Sequence, residues 1–348
     1  MSLPPSVELS LLDLAPIPPD GSATEAFERT VERAQYAEEL GYARFWVAEH
    51  HDFPHRLGST TPEVLIPHVA AHTSDIRVGS GTVLLNHYSP YKVAETFAVL
   101  DALAPGRIDC GLGRATGGRV RDHALSVDRG ERPTGGDQRE KVEEVASHLY
   151  GGFPDDHPYA ALDLPRSDGT APEVWVHGSS ESSAAIAADL GLRYCFAAFI
   201  RPQWAVDALR TYHERFQPSP YGAGPDEPQG TLAVNVTCAD TDEAAARLRA
   251  PTEATHRRLR RGDLDRPPIR SVEEAIDELG YVPEPTTPPG NPVGWPRAIS
   301  GSPETLRELL TELTDQAGVD GVVVQSSVVD FDDERRSHEL LAGAFDLG

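Results

Sequence analysis

The chain has 348 residues, 39% of them hydrophobic and 25% charged, an ordinary globular balance with ample core material. Its 55 acidic against 31 basic side chains leave a net charge of −24, which repels nucleic acid and anionic membrane and argues against both as partners. No stretch approaches the roughly 18 consecutive apolar residues of a membrane span. The N-terminal run MSLPPSVELSLLDLAP lacks a basic leader region, so a cytoplasmic protein is expected.

Only Lys92 and Lys141 are lysines; acidity with arginine in place of lysine suits a salt-adapted (halophilic) protein, whose self-repulsion is screened by high ionic strength. Cys110, Cys195 and Cys238 are widely spaced in apolar runs and read as buried small hydrophobes, not as a disulfide framework or zinc site.

A strand is predicted from Val7 to Leu14, ended by Pro16, Pro18, Pro19 and Gly21. Apolar positions at helical spacing predict a helix over Thr24–Leu40, which Gly41 stops. A second strand follows at Ala43–Ala48, then a helix opened by Thr61 and Pro62 and running to about Thr73. The alternation continues with strand Ile76–Leu85, helix Pro90–Leu103 and strand Arg107–Leu112. A polar, Gly-rich segment covers Arg114–Gly136 before a helix at Gln138–Tyr150. Strand Val174–His177, helix Ser182–Leu190, strand Tyr194–Ala198, helix Pro202–Phe216 and strand Leu232–Cys238 come next. Helices are predicted over Asp242–Arg261, Val272–Leu279 and Pro303–Ala317, then the eighth strand, Gly321–Gln325, and a closing helix, Asp332–Phe345.

Eight strands alternating with crossover helices predict a single α/β domain over 1–348, a (β/α)8 TIM barrel. Phe153–Pro172 and Pro283–Pro296, rich in Pro, Gly and Asp, read as loop excursions on it.

A barrel concentrates its chemistry at the C-terminal ends of its strands. The second strand ends in Glu49-His50-His51, and adjacent residues of an extended segment point opposite ways, so at most one imidazole faces the mouth. That imidazole is a candidate general base or orienting group, though surface or capping histidines fit the same spacing. A metal reading would use His50, His51 and His55; barrel metal sites draw ligands from several strands, so none is predicted.

Gly79 and Gly81 inside the third strand imply a bulge, a strained peptide, a close ligand approach or a tight helix contact behind it. Arg114, after Gly111-Leu112-Gly113, suits a phosphate or a carboxylate, and Arg139 is a further candidate of the same kind. His177-Gly178-Ser179-Ser180-Glu181-Ser182-Ser183 opens a helix, either as an anion site or as ordinary serine capping. Ser300-Gly301-Ser302-Pro303-Glu304 repeats the pattern before the last strand. Two such starts without a dinucleotide or P-loop fingerprint favour a mononucleotide cofactor over NAD or ATP.

The runs Leu9–Pro16, Gly41–His51, Val78–Leu85 and Pro105–Arg114, in that order, resemble the bacterial-luciferase-like flavin-dependent monooxygenases. The resemblance resumes at Val174–Ala198 and Ser300–Val324. It implies reduced FMN, supplied by a separate flavin reductase and used with O2 on a small-molecule substrate such as an aldehyde. By the same resemblance His50 falls on the catalytic histidine. Arg114, Ser179, Ser180, Ser183 and Arg139 fall on phosphate contacts, and Gly81–Thr82 on a non-proline cis peptide beneath the flavin ring. Gly113 stands where the luciferase α chain has a reactive cysteine, so the resemblance does not imply light emission. The fold also serves F420-dependent oxidoreductases, and a non-catalytic flavin-binding subunit is a third reading. Family members pair through helices after the early strands, which implies a homodimer.

Overall fold

The computed structural model describes residues 7–53, 56–114, 119–126, 138–263, 266–289 and 294–348. Its strands are β1 (Glu8–Asp13), β2 (Arg44–Val47), β3 (Arg77–Ser80), β4 (Val83–Leu84), β5 (Ile108–Gly113), β6 (Glu173–Gly178), β7 (Arg193–Ala197), β8 (Gly230–Cys238), β9 (Ala298–Gly301) and β10 (Gly321–Gln325). The helices in the first half are α1 (Ala23–Glu39), α2 (Pro62–Ala70), α3 (Pro90–Leu103), α4 (Arg119–Leu125) and α5 (Gln138–Tyr150). Those in the second are α6 (Glu181–Asp189), α7 (Ala205–Arg215), α8 (Asp242–Leu248), α9 (Ala250–Arg261), α10 (Val272–Leu279), α11 (Pro303–Ala317) and α12 (Phe331–Ala344).

All strand pairings are parallel, and β10 pairs with both β1 and β8. The ring therefore closes as β1, β2, β3 with β4, β5, β6, β7, β8 and β10: the (β/α)8 barrel expected from the alternation. The long strand β8 uses Thr231–Asn235 to meet β10 and Asn235–Cys238 to meet β9, so β9 is an extra strand outside the eight.

Alternation along each strand sorts the side chains into two cores. The larger lies between barrel and helices and includes Phe45, Phe97, Leu112, Tyr194 and Tyr212. The smaller fills the barrel with Leu12, Trp46, Trp175, Cys195, Ala233 and Val323. Below it, at the N-terminal end, the fully buried Asp109 accepts hydrogen bonds from Arg44 (2.8 Å), Arg77 (2.7 Å) and Trp46 Nε1 (2.8 Å). Burial would raise the pKa of this carboxyl, but the two guanidinium groups outweigh it and hold it below the usual carboxylate range. With the floor locked by ion pairs and the middle filled with apolar side chains, open chemistry is left to the C-terminal mouth.

Four local features depart from the sequence reading. The predicted strand Ile76–Leu85 is split into β3 and β4 by a bulge. The predicted helix Asp242–Arg261 breaks at Arg249, where Pro251 lacks the N–H that would continue α8, and α9 starts afresh. A seven-residue helix, α4, stands within the polar segment, and β9 follows the second excursion. The three cysteines are buried and unpaired.

Candidate functional site at the barrel mouth

The bulge is the centre of the site. Gly79 pairs with Asp109 and Val83 with Leu112, so four steps along β3 and β4 match three along β5. The extra residue pushes Ser80–Thr82 out of the ladder with β5, while Ser80 keeps its pairing with Val47 of β2. The Gly81–Thr82 peptide is cis, as the resemblance implied. Ser80 Oγ replaces the lost ladder contacts by donating to Gly111 O (2.9 Å) and accepting from Gly111 N (3.0 Å).

The glycines of β5 make this shelf possible. A Cβ on Gly111 would stand 1.9 Å from Ser80 O, and one on Gly113 would stand 2.3 Å from Thr82 Oγ1. The segment thus lies across two positions that have no side chain.

Beside the shelf, β2 runs out into Glu49, His50 and His51. Gly81 N donates to Val47 O (2.9 Å), which ties the shelf to this strand. The two histidines diverge as alternation requires: His51 turns to Glu49 (Nε2 to Oε1, 2.6 Å), while His50 continues the inward parity of Trp46 and Ala48. Burial, followed by the neighbouring His51 and Arg121 charges, pushes the His50 pKa down to about 4, so its ring is neutral near pH 7. Its Nδ1 is sealed from solvent and has no partner among the described residues.

Glu49 is a residue the sequence reading passed over. It is 2% exposed and accepts from Leu84 N (2.8 Å) and Tyr88 OH (3.0 Å) as well as meeting His51. It therefore anchors the far end of the shelf. A carboxylate at the end of an apolar strand was the available signal.

On the other side of β5, β6 ends at the start of α6, with Ser180 as its N-cap. Ser179 and Ser180 are half-buried there. Ser183 donates its hydroxyl to Ser180 O (2.6 Å) and also meets Tyr194 OH (3.0 Å), so it braces the turn and has no hydroxyl proton left for an anion. Arg114 is exposed at the end of β5 and has no ion pair among the described residues. His50, the shelf, Arg114 and the α6 start thus sit on four consecutive staves.

Two other expectations are redirected. Arg139 reaches Asp189, the last residue of α6, at 2.9 Å, and so is drawn to the end of that helix opposite its serine-rich start. The second Gly/Ser helix start is already satisfied from within the chain: Asp242 accepts from Ser302 N (2.7 Å) and Thr305 Oγ1 (3.0 Å) at the head of α11. The Ser302 amide bond holds this carboxyl below its usual range. Ser300 is fully buried against Arg249 (3.0 Å). That helix start is an internal cap, and the expectation of a second phosphate site is corrected accordingly. His55 lies outside the described residues.

The structure adds His177, which faces the barrel interior with its ring 4.8 Å from that of Trp46. Its Nε2 lies 2.8 Å from where a Gly111 Cβ would be and has no partner among the described residues. Burial pushes its pKa down to about 3, and burial does the same to His338 behind β1. Both folded values lie below the ordinary value of about 6.5, so the unfolded chain binds the protons more tightly. Their contribution to stability is complete above pH ~6.5 and is lost as pH falls toward 3, at about 1.4 kcal/mol per pH unit for each group. Urea unfolding midpoints are therefore expected to drop steadily between pH 6.5 and pH 4, less so in His338→Asn. A flat profile would contradict these buried neutral rings.

Fold and mouth together define a (β/α)8 barrel with its candidate site at the C-terminal face. The chain belongs to the luciferase-like monooxygenase family, whose model matches residues 7–321. It is 42% identical over 343 residues to the Bacillus subtilis protein YwcH, covering 97% of this chain and 99% of the relative. It is 36% identical over 341 residues to the N-acetyl-S-alkylcysteine monooxygenase of the same organism, covering 97% and 98%. The solved structure of apo-MsnO8 superposes with a TM-score of 0.85 at 39% identity, over 98% of this chain and 99% of that one.

Two more distant structures share the fold alone. The oxygenating constituent of 3,6-diketocamphane monooxygenase from Pseudomonas putida, in complex with FMN, has a TM-score of 0.69 at 21% identity, covering 97% of both chains. An F420-dependent secondary alcohol dehydrogenase with an F420-acetone adduct has a TM-score of 0.61 at 16% identity, over 98% of this chain and 99% of that one.

Proposed function

We propose that the protein is an FMN-dependent monooxygenase that uses O2 on a small organic substrate. The observation that carries this reading is the bulged Ser80–Thr82 shelf lying across Gly111 and Gly113, with a neutral imidazole on one side and a serine-capped helix start on the other. A flat ring system fits the shelf. The α6 start, with Ser179, Ser180 and the positive end of the helix dipole, suits one phosphate, and Arg114 supplies the matching cation. With the second helix start capped from within the chain, the α6 start is the phosphate site proposed among the described residues, and the mononucleotide reading then rests on that start and on the missing dinucleotide fingerprint.

When bound, reduced flavin supplies the electrons for oxygen activation, and a separate reductase would deliver it. The chain's own part is to hold the ring on the shelf, present His50 as a neutral hydrogen-bonding group and exclude water from the closed barrel interior below. This division of labour is supported by the apolar layer of Leu12, Trp46 and Trp175 directly beneath the mouth.

Difference spectra taken with FMN and with F420 at high salt test the cofactor. FMN is expected to perturb the spectrum at equimolar protein while F420 does not; the reverse result would transfer the site to F420. Arg114→Ala is expected to weaken FMN roughly 10- to 100-fold, the loss of a charge-assisted hydrogen bond, while riboflavin is little affected. Equal losses for both in a fluorescence titration would overturn the phosphate assignment.

A further inference from the structure

Resting on the reading of His50 as the group that faces the reactants, we propose that the short helix α4 positions it and that Arg121 is the residue through which α4 does so. Arg121 lies in the polar segment Arg114–Gly136, and neither the strand and helix pattern nor the proposed function gives it a task.

The need for a positioning residue lies in how His50 is held. Its Nδ1 is sealed without a partner, and no hydrogen bond reaches either ring nitrogen among the described residues. Packing alone therefore sets the rotation of the ring about its side-chain bonds. Phe53 supplies that packing: its ring meets that of His50 edge to face, with 6.3 Å between centroids.

Phe53 reaches back to His50 because the chain reverses between them. Asp52 has φ +66, in the left-handed region that aspartate tolerates better than most residues. The base of this turn is tied within its own loop. His50 N donates to Ser59 O (2.8 Å), Ser59 Oγ donates to Ala48 O, and Leu57 N donates to Phe53 O (3.0 Å).

The tip is held from elsewhere. His51 O accepts no backbone N–H among the described residues; its donor is Arg121 Nη1, at 2.6 Å and 70 residues along the chain. The same guanidinium stands over the Phe53 ring, 5.6 Å from its centroid. One side chain thus grips the carbonyl before the reversal and the aromatic ring after it.

A carbonyl and a ring face are notable partners for an arginine in a chain with 55 acidic residues. Arg121 forms no ion pair among the described residues, although Asp122 follows it directly. Its charge is therefore left uncompensated beside His50. There it acts in the same sense as burial and His51, opposing a proton on the ring. An arginine captured by a carboxylate would do neither job. Asp122 stands near His87, in the turn Leu85–His87 after β4, so α4 spans from the end of β2 to the end of β4.

The test uses the full-length chain without added flavin, its aromatic residues isotope-labelled, and reads the nuclear Overhauser contact between the His50 and Phe53 rings. Arg121→Lys keeps a charge and an N–H donor, whereas Arg121→Met keeps only the length. The contact is expected in the parent and in Arg121→Lys and is expected to vanish in Arg121→Met. The Tyr36–His338 contact behind β1, with ring centroids 5.8 Å apart, is the control and should survive in all three. A second variant, Phe53→Leu, leaves the bond to His51 O in place. Its His50 side chain should show averaged couplings, the sign of a ring no longer held in one rotamer.

A His50–Phe53 contact that persists in Arg121→Met would overturn the proposal, as would a single locked His50 rotamer in Phe53→Leu. Loss of the contact in Arg121→Lys as well as in Arg121→Met would also count against it. Where reduced FMN and O2 oxygenate hexanal, Arg121→Met should lower turnover about fivefold and add no further loss to His50→Ala, because both act through one ring. A further loss would place the action of Arg121 elsewhere. Loss of the ring contact in a protein that makes no use of reduced FMN would sink the flavin reading alone. FMN-dependent turnover with the contact intact in Arg121→Met would sink the positioning role alone.

Discussion

His50→Ala is expected to cut oxygenation at least tenfold while leaving FMN affinity near normal. The ring sits beside the shelf with Nδ1 sealed, so any contact it makes with reactants runs through Nε2. A histidine with a pKa near 4 is a weak base at neutral pH. Its role is therefore that of a neutral hydrogen-bonding group, with a loss toward the low end of the ~10²–10⁴ range that full acid–base catalysis contributes. The rate should stay level from pH 8 down to about 5 and fall as protonation sets in near pH 4. Stopped-flow turnover across this range checks both statements; unchanged turnover in His50→Ala would remove the residue from the mechanism and favour a non-catalytic flavin-binding subunit.

Gly111→Ala should be equally damaging by a different route. The new methyl would stand 1.9 Å from the Ser80 carbonyl oxygen, a backbone atom that cannot move without moving the shelf, and 2.8 Å from His177 Nε2. Overpacking of this kind costs about 1–3 kcal/mol. Displacing the shelf is expected to lower FMN affinity about a hundredfold with far-UV circular dichroism retained. Gly343→Ala is the control: nothing lies within 4 Å of the added methyl in α12, so FMN affinity should be unaffected and stability unchanged or slightly raised. FMN affinity in Gly111→Ala equal to that of the parent would separate the shelf from the cofactor.

These two sites show what could be read from the sequence and what could not. The order of the eight barrel strands and of the helices between them was legible because those elements carry their own apolar period, as in Val31, Ala34 and Ala37 of α1 or Val322–Val324 of β10. Glycines inside a strand announced a departure at Gly79 and Gly81, and the register shows that departure to be a one-residue bulge. β9 was missed because Ala-Ile-Ser-Gly has turn composition and is a strand only where β8 overshoots the barrel closure. The destinations of Arg139 and Ser302 were also illegible. Their partners, Asp189 and Asp242, stand far away in sequence, and pairing at that range is set by how the helices pack. Net charge hid this too, since a chain with 55 acidic residues offers every arginine a choice of partners.

The most direct test of the account is oxygen uptake by purified protein given photoreduced FMN or, separately, reduced F420, with no other electron carrier present. A small organic substrate such as an aldehyde is expected to be oxygenated only in the FMN arm, with one atom of labelled O2 in the product, and His50→Ala is expected to lose this incorporation. Oxidation of reduced F420 by the protein without oxygen incorporation, and no product from reduced FMN, would contradict it.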